Sequence, residues 1–406
     1  MEKNKTLVIS NTGLSNTESN GRILSLLFND WDDGLIHNYC VGGCPDKGGV
    51  NYIFNSDLSN LKSLLSFGFV KPRTFSFADN KNNDSNETNA SVKTNKKAIH
   101  YFIRNILYIF NFHISKFLKK YIIRNQIKKI FLFGTDAPYM YRLARVLSKK
   151  CGISLEIYTC EDYPLKNYNY IQGGKHNHNI FFKLLMRSLK KQTRKAYAVS
   201  TKCSFNSELL LEDYKKVFKL NNPTVRYLPS VLEKVNYKPR EIRHIVYGGN
   251  LYFDRVNSLL DISKVLAEIN KEVVLDVYGK TNTEDALRLK NCPNINYHGV
   301  VSYARMIGIY KNADMLLHVD GFSEYSILDC KHAFSTKISD CYLLGIPFFI
   351  YAPIEIASTQ YAYKMNKLFT ATSFKELEEK LNDVINNRER FTIDYGKIEE
   401  DFGAIG

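Results

Sequence analysis

The chain of 406 residues carries a formal net charge of +15, and 44% of its residues are hydrophobic. That hydrophobic fraction excludes a chain that is disordered throughout, and the length suffices for about two globular domains. The basic balance indicates an acidic partner, which composition leaves open as nucleic acid, an anionic membrane surface or phosphorylated small molecules.

The first residues, MEKNKTLVIS, lead directly into a strand-like run and lack the apolar core of a signal peptide. No uninterrupted apolar run reaches the roughly 18 residues of a transmembrane helix. The eight cysteines are scattered along the chain, which is typical of reduced thiols inside a cell. We therefore expect a cytoplasmic protein, either free or peripheral on the inner face of the cytoplasmic membrane.

The first half of the chain alternates short β-rich runs with helical patterns, which predicts a parallel sheet covered by helices. The predicted strands are 5–11, 35–41, 129–134, 154–159 and 196–201, and the predicted helices are 20–29, 137–150, 180–194 and 206–217. Residues 79–97 are polar and rich in Asn, so we expect a mobile loop there. These elements predict a Rossmann-like domain over residues 1–228.

A basic, aromatic segment lies inside this first domain. Residues 92–129 contain ten Lys or Arg and no Asp or Glu, and an apolar stripe from Ile99 to Tyr121 predicts a cationic amphipathic helix. A second basic run, 181–195, also lacks acidic residues. Two interpretations stay open: attraction to anionic lipid, or a stripe that packs on the sheet and leaves the lysines in water. Nucleic acid is disfavoured because no zinc-finger or RNP-type motif accompanies the charge.

The second half of the chain shows the same alternation more regularly. Residues 229–243 hold two prolines and no clear periodicity, which indicates a linker. The predicted strands beyond it are 244–249, 272–279, 295–300, 314–320 and 347–352, and the predicted helices are 256–270, 283–290, 302–311, 335–344 and 374–387. We predict a second Rossmann-like domain over 244–390 and a C-terminal tail over 391–406.

The predicted fold class is therefore α/β, with two doubly wound Rossmann-like domains that face a cleft. In open parallel sheets of this kind, ligands bind at the carboxyl ends of the strands. Polar motifs that directly follow predicted strands are the candidates for function.

The first such motif is GGNLYFDR, which follows the strand 244–249. Gly248 and Gly249 allow close approach of a ligand to the backbone, and the guanidinium of Arg255 matches a phosphate in charge and geometry. A glycine turn with a solvated arginine is the alternative. The G-x-G-x-x-G fingerprint and the Walker A motif are both absent, which disfavours a nicotinamide oxidoreductase.

The second motif is FSTKISDCYLLGIP, residues 334–347. Lys337 falls in the first turn of a predicted helix, where the helix dipole disfavours a cation unless an anion binds beside it. Ser335 and Thr336 are the N-cap candidates. Asp340, one turn further on, is placed to accept hydrogen bonds from a ribose diol, although an exposed lysine–aspartate pair is the alternative. Two cations that follow two strands of one sheet favour a diphosphate ligand.

The stretch 249–353 resembles the nucleotide-sugar-binding domain of GT-B glycosyltransferases, especially the family-four-like group of glycosyl transferases group 1 type. The motifs YGGNLYFDR, VYGK, YHGVVSYARMIGIYKNADMLLHVD and FSTKISDCYLLGIPFFIYAP carry the resemblance. It implies that Arg255 and Lys337 hold the donor diphosphate in catalysis. The donor-binding residues that it implies are Gly248, Gly249, Asn250, Gly279, Gly299, Val300, Ser335, Thr336 and Asp340.

The first domain resembles the same family more loosely, through SNTGLSNTESNGR after the first strand and YTCEDYP after the strand 154–159. Many relatives carry two glutamates eight apart, but the residue eight before Asp340 is His332. The first acidic position is therefore missing, and Asp320 or Glu324 are the candidate substitutes. The candidates on the acceptor side or near the donor sugar are Asn11, Gly13, Asn20, Gly21, Arg22, Glu161, Asp162, Asp320 and Glu324.

The resemblance implies a glycosyltransferase of the hexosyltransferase type, which uses a nucleoside-diphosphate sugar and a saccharide or lipid-linked saccharide acceptor in surface polysaccharide synthesis. It further implies a retaining reaction, and because cations and helix N–H groups stabilise the leaving diphosphate, we expect no metal or other cofactor. The one D-x-D pair, Asp30 and Asp32, lies far in sequence from the donor residues. Two alternatives stay open: a sugar-nucleotide epimerase of the same fold, and a non-enzymatic basic adaptor for membranes or nucleic acid.

Overall fold

The computed structural model describes residues 3–16, 19–77, 97–172, 179–387 and 392–403. The chain divides into two compact units, Met1–Arg226 and Tyr227–Gly406. Residues 79–96 of the predicted mobile loop lie outside the described residues.

The first unit is built on an eight-stranded sheet. Its strands in chain order are β1 (Thr6–Thr12), β2 (Ile36–Gly42), β3 (Val50–Phe54), β4 (Arg73–Ser76), β5 (Lys129–Phe133), β6 (Ser154–Thr159), β7 (Lys202–Phe205) and β8 (Pro223–Val225). Their spatial order is β4-β3-β2-β1-β5-β6-β7-β8. All neighbours run parallel except β3 and β4, which pair antiparallel. The order of the strands reverses between β1 and β5.

Seven α-helices are described in the first unit: α1 (Ser19–Leu27), α2 (Asp57–Leu65), α3 (Ala98–Phe110), α4 (Phe112–Arg124), α5 (Pro138–Cys151), α6 (Ile180–Tyr197) and α7 (Glu208–Val217). A short 3-10 turn covers Tyr170–Gln172. The ends of α5 follow from its sequence, because Pro138 occupies the first helical position and Gly152 ends the helix with φ 65°.

Two predictions for this unit are wrong. The predicted strand 196–201 begins inside α6, because Thr193 and Tyr197 are buried at helical spacing and the Tyr197 hydroxyl lies 2.6 Å from Thr159 Oγ1. The basic segment forms two helices and not one. The helix is interrupted at Asn111, whose side-chain amide donates to Asn60. Leu118 of the predicted apolar stripe is buried in the core.

The second unit is built on a six-stranded parallel sheet. Its strands are β9 (His244–Gly248), β10 (Val274–Tyr278), β11 (Ile295–Gly299), β12 (Met315–Val319), β13 (Phe348–Tyr351) and β14 (Thr370–Ala371), in the spatial order β11-β10-β9-β12-β13-β14. The described helices are α8 (Arg255–Ile269), α9 (Thr283–Lys290), α10 (Tyr303–Asn312), α11 (Glu324–Cys330), α12 (Thr336–Leu344), α13 (Ala357–Met365), α14 (Phe374–Asn386) and α15 (Tyr395–Phe402). Here the strand order reverses between β9 and β12.

Both faces of the second sheet are covered. Ile245 and Leu317 point into one hydrophobic core, and Val246 and Leu316, which alternate with them along β9 and β12, point into another. Strands buried on both faces read as continuous apolar runs, which explains why the sequence pattern located them well. The predicted α/β class with two Rossmann-like doubly wound domains is confirmed.

The second unit also contains the residues assigned to the linker and the tail. Val235 N donates to Leu344 O at 2.9 Å, so the segment 229–243 packs along α12. Helix α15 lies within the predicted tail, and its Ile398 and Phe402 are fully buried. These two apolar residues are four apart, which is the spacing of one helix face, but they are too few to stand out in the sequence.

Gly279 lies where no side chain fits. A Cβ there would lie 1.8 Å from the carbonyl oxygen of Gly249, whereas a Cβ on Gly308, in the exposed middle of α10, would meet nothing within 4 Å. We expect Gly279→Ala to lower the free energy of unfolding by roughly 1–3 kcal/mol, because the backbone must move. Gly308→Ala is the control and should raise it by up to about 1 kcal/mol through helix propensity. Urea denaturation measures the free energy of unfolding of both variants. Equal changes would contradict the close approach of Gly279 to the Gly249 carbonyl oxygen.

Candidate active site

Backbone hydrogen bonds join the carboxyl ends of three strands in the second unit. Gly249 N donates to Tyr278 O at 2.9 Å, and Gly279 N donates to Gly299 O at 2.8 Å. The loops that follow β9, β10 and β11 are therefore held together at the glycines that the sequence predicted to face a donor. Gly299 has φ 72°, a conformation that favours glycine. The next residue, Val300, is 69% exposed.

A buried ion pair forms where the strand order reverses between β9 and β12. Arg255, the first residue of α8, donates from Nη2 to Asp320 Oδ1 at 2.6 Å and from Nε to the same oxygen at 2.8 Å. Arg255 also donates to the side chain of Asn250. The side chain of Asp320 is only 4% exposed and that of Arg255 only 13%. Asp320 therefore fixes the guanidinium at the sheet edge. Burial opposes the charged form of Asp320, but its interactions with His318 and then with Arg255 lower its pKa below the ordinary value.

Lys337 is the second residue of α12, and its ammonium group reaches the same place. Its Nζ lies 4.3 Å from the centre of the Tyr247 ring, and a Cβ on Gly249 would lie 2.8 Å from that Nζ. Burial, together with the charge of Arg255, lowers the pKa of Lys337 to about 8. Within the described part of the chain Lys337 forms no salt bridge. The lysine is a partly desolvated cation beside a second cation, an arrangement that an anion would stabilise.

The start of α12 is capped by the residue before it. Ser335 Oγ accepts a hydrogen bond from Lys337 N at 3.3 Å, and Thr336 is the first helical residue. The helix ends at Gly345, which has φ 69°. The positive end of the helix dipole therefore lies at this helix start, beside the backbone of Lys337. That end favours an anion there.

Asp340 is engaged differently from the prediction. The Ser230 hydroxyl donates to Asp340 Oδ1 at 2.5 Å and the Tyr303 hydroxyl donates to Oδ2 at 3.0 Å. The carboxylate is buried, so in this structure it fastens residue 230 and the start of α10 to α12. A ribose contact would have to share these oxygens, and it stays a prediction. Glu324, at the exposed start of α11, also stays a prediction.

His318 is a residue of this site that the sequence reasoning missed. Its Nε2 lies 3.0 Å from Asp320 Oδ2, opposite the oxygen that Arg255 uses. Burial and then the charge of Lys337 lower the pKa of His318 to about 4, so at neutral pH the ring is uncharged and Nε2–H donates to Asp320. His318 Nδ1 is buried and has no hydrogen-bond partner among the described residues. The signal was the spacing in HVD, because residues two apart on a strand share a face.

In the first unit the predicted loop after β1 folds against the start of α1. Ser15 N donates to Gly21 O at 3.2 Å, and a Cβ on Gly21 would lie 2.6 Å from Gly13 O. Gly13 and Gly21 are therefore brought together. Asn20 is exposed beside them and Arg22 is half-buried.

A second edge site in this unit joins β1 and β5. Asn11 Nδ2 donates to Asp136 Oδ1 at 3.3 Å and also to the hydroxyl of Thr135. Burial raises the pKa of Asp136, while the charge of Arg104 opposes that rise. The sequence reasoning missed Asp136, although it follows the predicted strand 129–134 directly. The strand order reverses here, which is where ligands bind in such sheets.

The remaining two candidates follow β6, the next strand of that sheet. Asp162 is buried and pairs with Lys166 Nζ at 3.4 Å. The backbone oxygen of Glu161 accepts from the Tyr214 hydroxyl at 2.9 Å. Asp162 therefore has a clear role in holding its own loop, and a role of either residue toward an acceptor stays a prediction.

Metal-ligating side chains do not gather in this protein as far as the structure describes it: no group of three or more His, Cys, Asp or Glu could hold an ion in residues 3–16, 19–77, 97–172, 179–387 and 392–403. Within the same ranges, no helix has the length and apolar character needed to cross a bilayer.

The two units, each a Rossmann-like sheet with its polar residues at the carboxyl edge, define the GT-B fold. Among solved structures the chain is similar to Anabaena HepE, crystallised with UDP and glucose, at 10% identity and a TM-score of 0.56, over 98% of this chain and 96% of that one. It is similar to TarM at 11% identity and a TM-score of 0.50, over 73% of this chain.

The chain spans 54% of the length of TarM. A weaker likeness, with a TM-score of 0.47 and 8% identity, relates it to a putative UDP-N-acetylglucosamine 2-epimerase from Listeria monocytogenes, over 99% of this chain and 92% of that one. No protein-family model and no curated protein matches the sequence. The likenesses to HepE and TarM establish the fold, which the sequence motifs had predicted.

The buried ion pair generates a stability prediction. We expect Asp320→Asn to lower the free energy of unfolding by about 3 kcal/mol, because it leaves the Arg255 guanidinium buried without a counter-charge. Asp285→Asn is the matched control, since it breaks the more exposed pair between Asp285 and Arg288 at 2.9 Å. That change should cost less than about 1 kcal/mol. Chemical denaturation measures the free energy of unfolding of both variants. A small decrease in Asp320→Asn would show that the pair is not desolvated.

Proposed function

We propose that the protein is a glycosyltransferase that moves a sugar from a nucleoside-diphosphate sugar to a saccharide or lipid-linked saccharide acceptor. The observation that carries the proposal is the position of Lys337, a partly desolvated lysine without a salt bridge in the described chain, beside Arg255 at the switch point of the second sheet. Two cations at the carboxyl edge of a doubly wound sheet fit a diphosphate.

The donor diphosphate would lie against Lys337, Arg255 and the start of α12. When the bond from the anomeric carbon to the phosphate oxygen breaks, negative charge accumulates on the leaving diphosphate. Fixed cations and helix N–H groups stabilise that charge more than they stabilise the intact donor, and this difference lowers the barrier. Gly249 and Gly279 allow the phosphates to approach the backbone, and Gly299 with Val300 would flank the base.

The reaction would proceed with retention and without a metal ion. In the same-face displacement that we propose, the acceptor oxygen bonds to the anomeric carbon as the phosphate departs, and the acceptor hydroxyl proton passes to the leaving diphosphate. No protein nucleophile is needed. Full activity after dialysis against EDTA, together with an α-linked product from an α-linked donor by NMR, would support these two points.

The acceptor would bind to the first unit, at the edge formed by Asn11, Asp136 and the loop that contains Gly13 and Gly21. A carboxyl group and an amide at a switch point are suited to sugar hydroxyls. With such an acceptor, the protein would act in surface polysaccharide synthesis on the cytoplasmic side, peripheral at the membrane. The UDP and glucose held by Anabaena HepE make UDP-glucose the first donor to test.

Removal of the Lys337 charge should abolish most of the transfer. We expect Lys337→Ala to reduce turnover about 100-fold or more, as loss of a preorganised charge at a leaving group does. Arg255→Lys should also reduce it, because an ammonium group cannot keep both Asp320 and a phosphate in bidentate contact. Transfer of radiolabelled sugar and binding of UDP by calorimetry measure the two effects.

Lys290→Ala, on the exposed side of α9, is the control and should leave turnover unchanged. Circular dichroism must show that the variants fold. Normal turnover in both Lys337→Ala and Arg255→Lys would remove the proposed diphosphate site. A changed sugar nucleotide released from donor alone, without acceptor, would indicate the epimerase instead.

The lowered pKa of Lys337 predicts how UDP affinity depends on pH. A bound diphosphate favours the charged lysine, so binding raises the Lys337 pKa from about 8. From about pH 7, where the terminal phosphate with its pKa of about 6 is already ionised, up to about pH 8 the lysine is charged in both states and affinity is constant. Above that range, binding must take up a proton and weakens by at most about tenfold per pH unit. Calorimetry across this range measures the change. Lys337→Arg stays charged and should bind with a flat profile, and a flat profile in the natural protein would contradict the assignment.

A further inference from the structure

Large apolar side chains stand out from the surface of the first unit around the end of α2 and the junction of α3 and α4. Phe67 is 81% exposed and Phe69 is 88% exposed, and Leu65, Phe110 and Phe112 are each between 65% and 70% exposed. We name these five residues the phenylalanine cluster. Single exposed apolar residues are normal in proteins, but a grouped set of this size indicates an interaction surface.

The structure brings the two parts of the cluster together. The Asn111 amide, between Phe110 and Phe112, donates to the backbone and side-chain oxygens of Asn60 in α2. A Cβ on Gly68, between Phe67 and Phe69, would lie 2.5 Å from His113 Nδ1. The turn 67–69 and the helix junction are therefore in contact, although they are more than 40 residues apart in sequence.

The turn itself directs its aromatic rings outward. Gly68 N donates to Ser63 O at 2.8 Å and Phe69 N donates to Ser66 O at 3.1 Å, which holds the turn at the end of α2. Phe67 adopts φ 52°, which is unfavourable for a bulky residue. Helix α2 continues the surface, because Leu58, Leu61 and Leu65 follow helical spacing and all are exposed. Among the described residues, no apolar partner covers this stripe of the amphipathic helix.

The charge around the cluster selects the class of partner. Residues 58–77 and 97–124 contain nine Lys or Arg and no Asp or Glu. A second copy of the same face would bring these like charges together, which disfavours a dimer through it. Nucleic acid would use the rings for stacking, but it gains little from the aliphatic leucines of α2. Asp57, at the start of α2, is paired with Arg104 at 2.7 Å. Apolar side chains inside this predominantly basic surface match a bilayer of anionic lipids.

We propose that the phenylalanine cluster inserts into an anionic membrane while the surrounding lysines and arginines bind lipid headgroups. The contact is with the bilayer and does not involve the Lys337 and Arg255 site. It deepens the proposed function, because a lipid-linked acceptor would then be presented to the unit that carries Asp136. Ile114, Leu118 and Ile122 of the basic helix α4 are buried and take no part.

The test is co-sedimentation with vesicles of phosphatidylcholine alone and of an equimolar mixture with phosphatidylglycerol. We expect the full-length protein to bind the mixed vesicles and to bind phosphatidylcholine weakly. The double variant Phe67→Asn, Phe69→Ser should bind the mixed vesicles at least about tenfold more weakly, because it removes the apolar insertion. Asn is chosen for residue 67 because it tolerates a positive φ, so the turn is preserved.

Three further variants separate the contributions of apolar insertion, headgroup binding and the donor site. Leu287→Ser with Val217→Ser, two exposed apolar positions outside the cluster, is the matched control and should bind as the natural protein does. Lys116→Glu with Lys119→Glu should lose binding to the mixed vesicles while the protein stays folded. Lys337→Ala should keep vesicle binding even if it has lost transfer, so failure of the donor site and failure of the membrane surface are distinguishable.

The proposal is overturned if the natural protein ignores mixed vesicles, or if the double phenylalanine variant binds them equally well. It is also overturned if light scattering shows a dimer that the double variant abolishes while vesicle binding is unchanged. Salt-sensitive binding to single-stranded RNA that depends on Phe67 and Phe69, without vesicle binding, would assign the surface to nucleic acid instead.

Discussion

A guanidinium held by a buried carboxylate organises the chemistry of the second unit. Asp320 binds Arg255 through one oxygen and His318 through the other, so it has little capacity left to neutralise the nearby Lys337. To pull Arg255 away would leave a buried aspartate unpaired, which costs several kcal/mol. Because His318 is neutral, the net charge of Arg255, Asp320 and Lys337 together is +1, and it lies in a partly desolvated site. That excess, and not either cation alone, is what a bound anion would neutralise. Burial is the larger cause of the lowered pKa of Lys337, and the charge of Arg255 adds to it.

The same topological feature places the polar side chains in both units. In a doubly wound sheet the two loops at the switch point diverge to opposite faces and leave space between them. In the second unit these loops present Arg255 and Asp320, beside Lys337 from α12. In the first unit the end of β1 presents Asn11 and the loop after β5 presents Asp136. One edge is cationic and suits a diphosphate, and the other carries a carboxyl group and an amide, which suit hydroxyl groups.

The surface of the first unit shows why a pattern of charges must be read in three dimensions. The sequence drew attention to the basic segment 92–129, whose apolar stripe could face either lipid or the core. The structure divides that stripe: Ile114 and Leu118 pack inside, whereas Phe110 remains outside, as does the neighbouring Phe112 at the break between the helices. The most exposed rings, Phe67 and Phe69, come from a turn that no helical periodicity marks. The interaction surface is a product of packing between distant segments.

Much of the fold followed from the sequence by itself, because a strand buried on both faces needs a continuous apolar run and the helices between strands need a 3.6-residue period. The same local logic located Arg255, Lys337 and the glycines at the ends of strands, and the motifs there resembled the GT-B group. Tertiary structure alone decided the partners of the charged groups. It tied Arg255 to Asp320, left Lys337 without a salt bridge in the described chain, engaged Asp340 with Ser230 and Tyr303, and brought Asp136 to Asn11. Residues 37 to 125 positions apart meet in these contacts, and no local pattern of hydrophobicity or charge encodes which distant strand end will lie beside another.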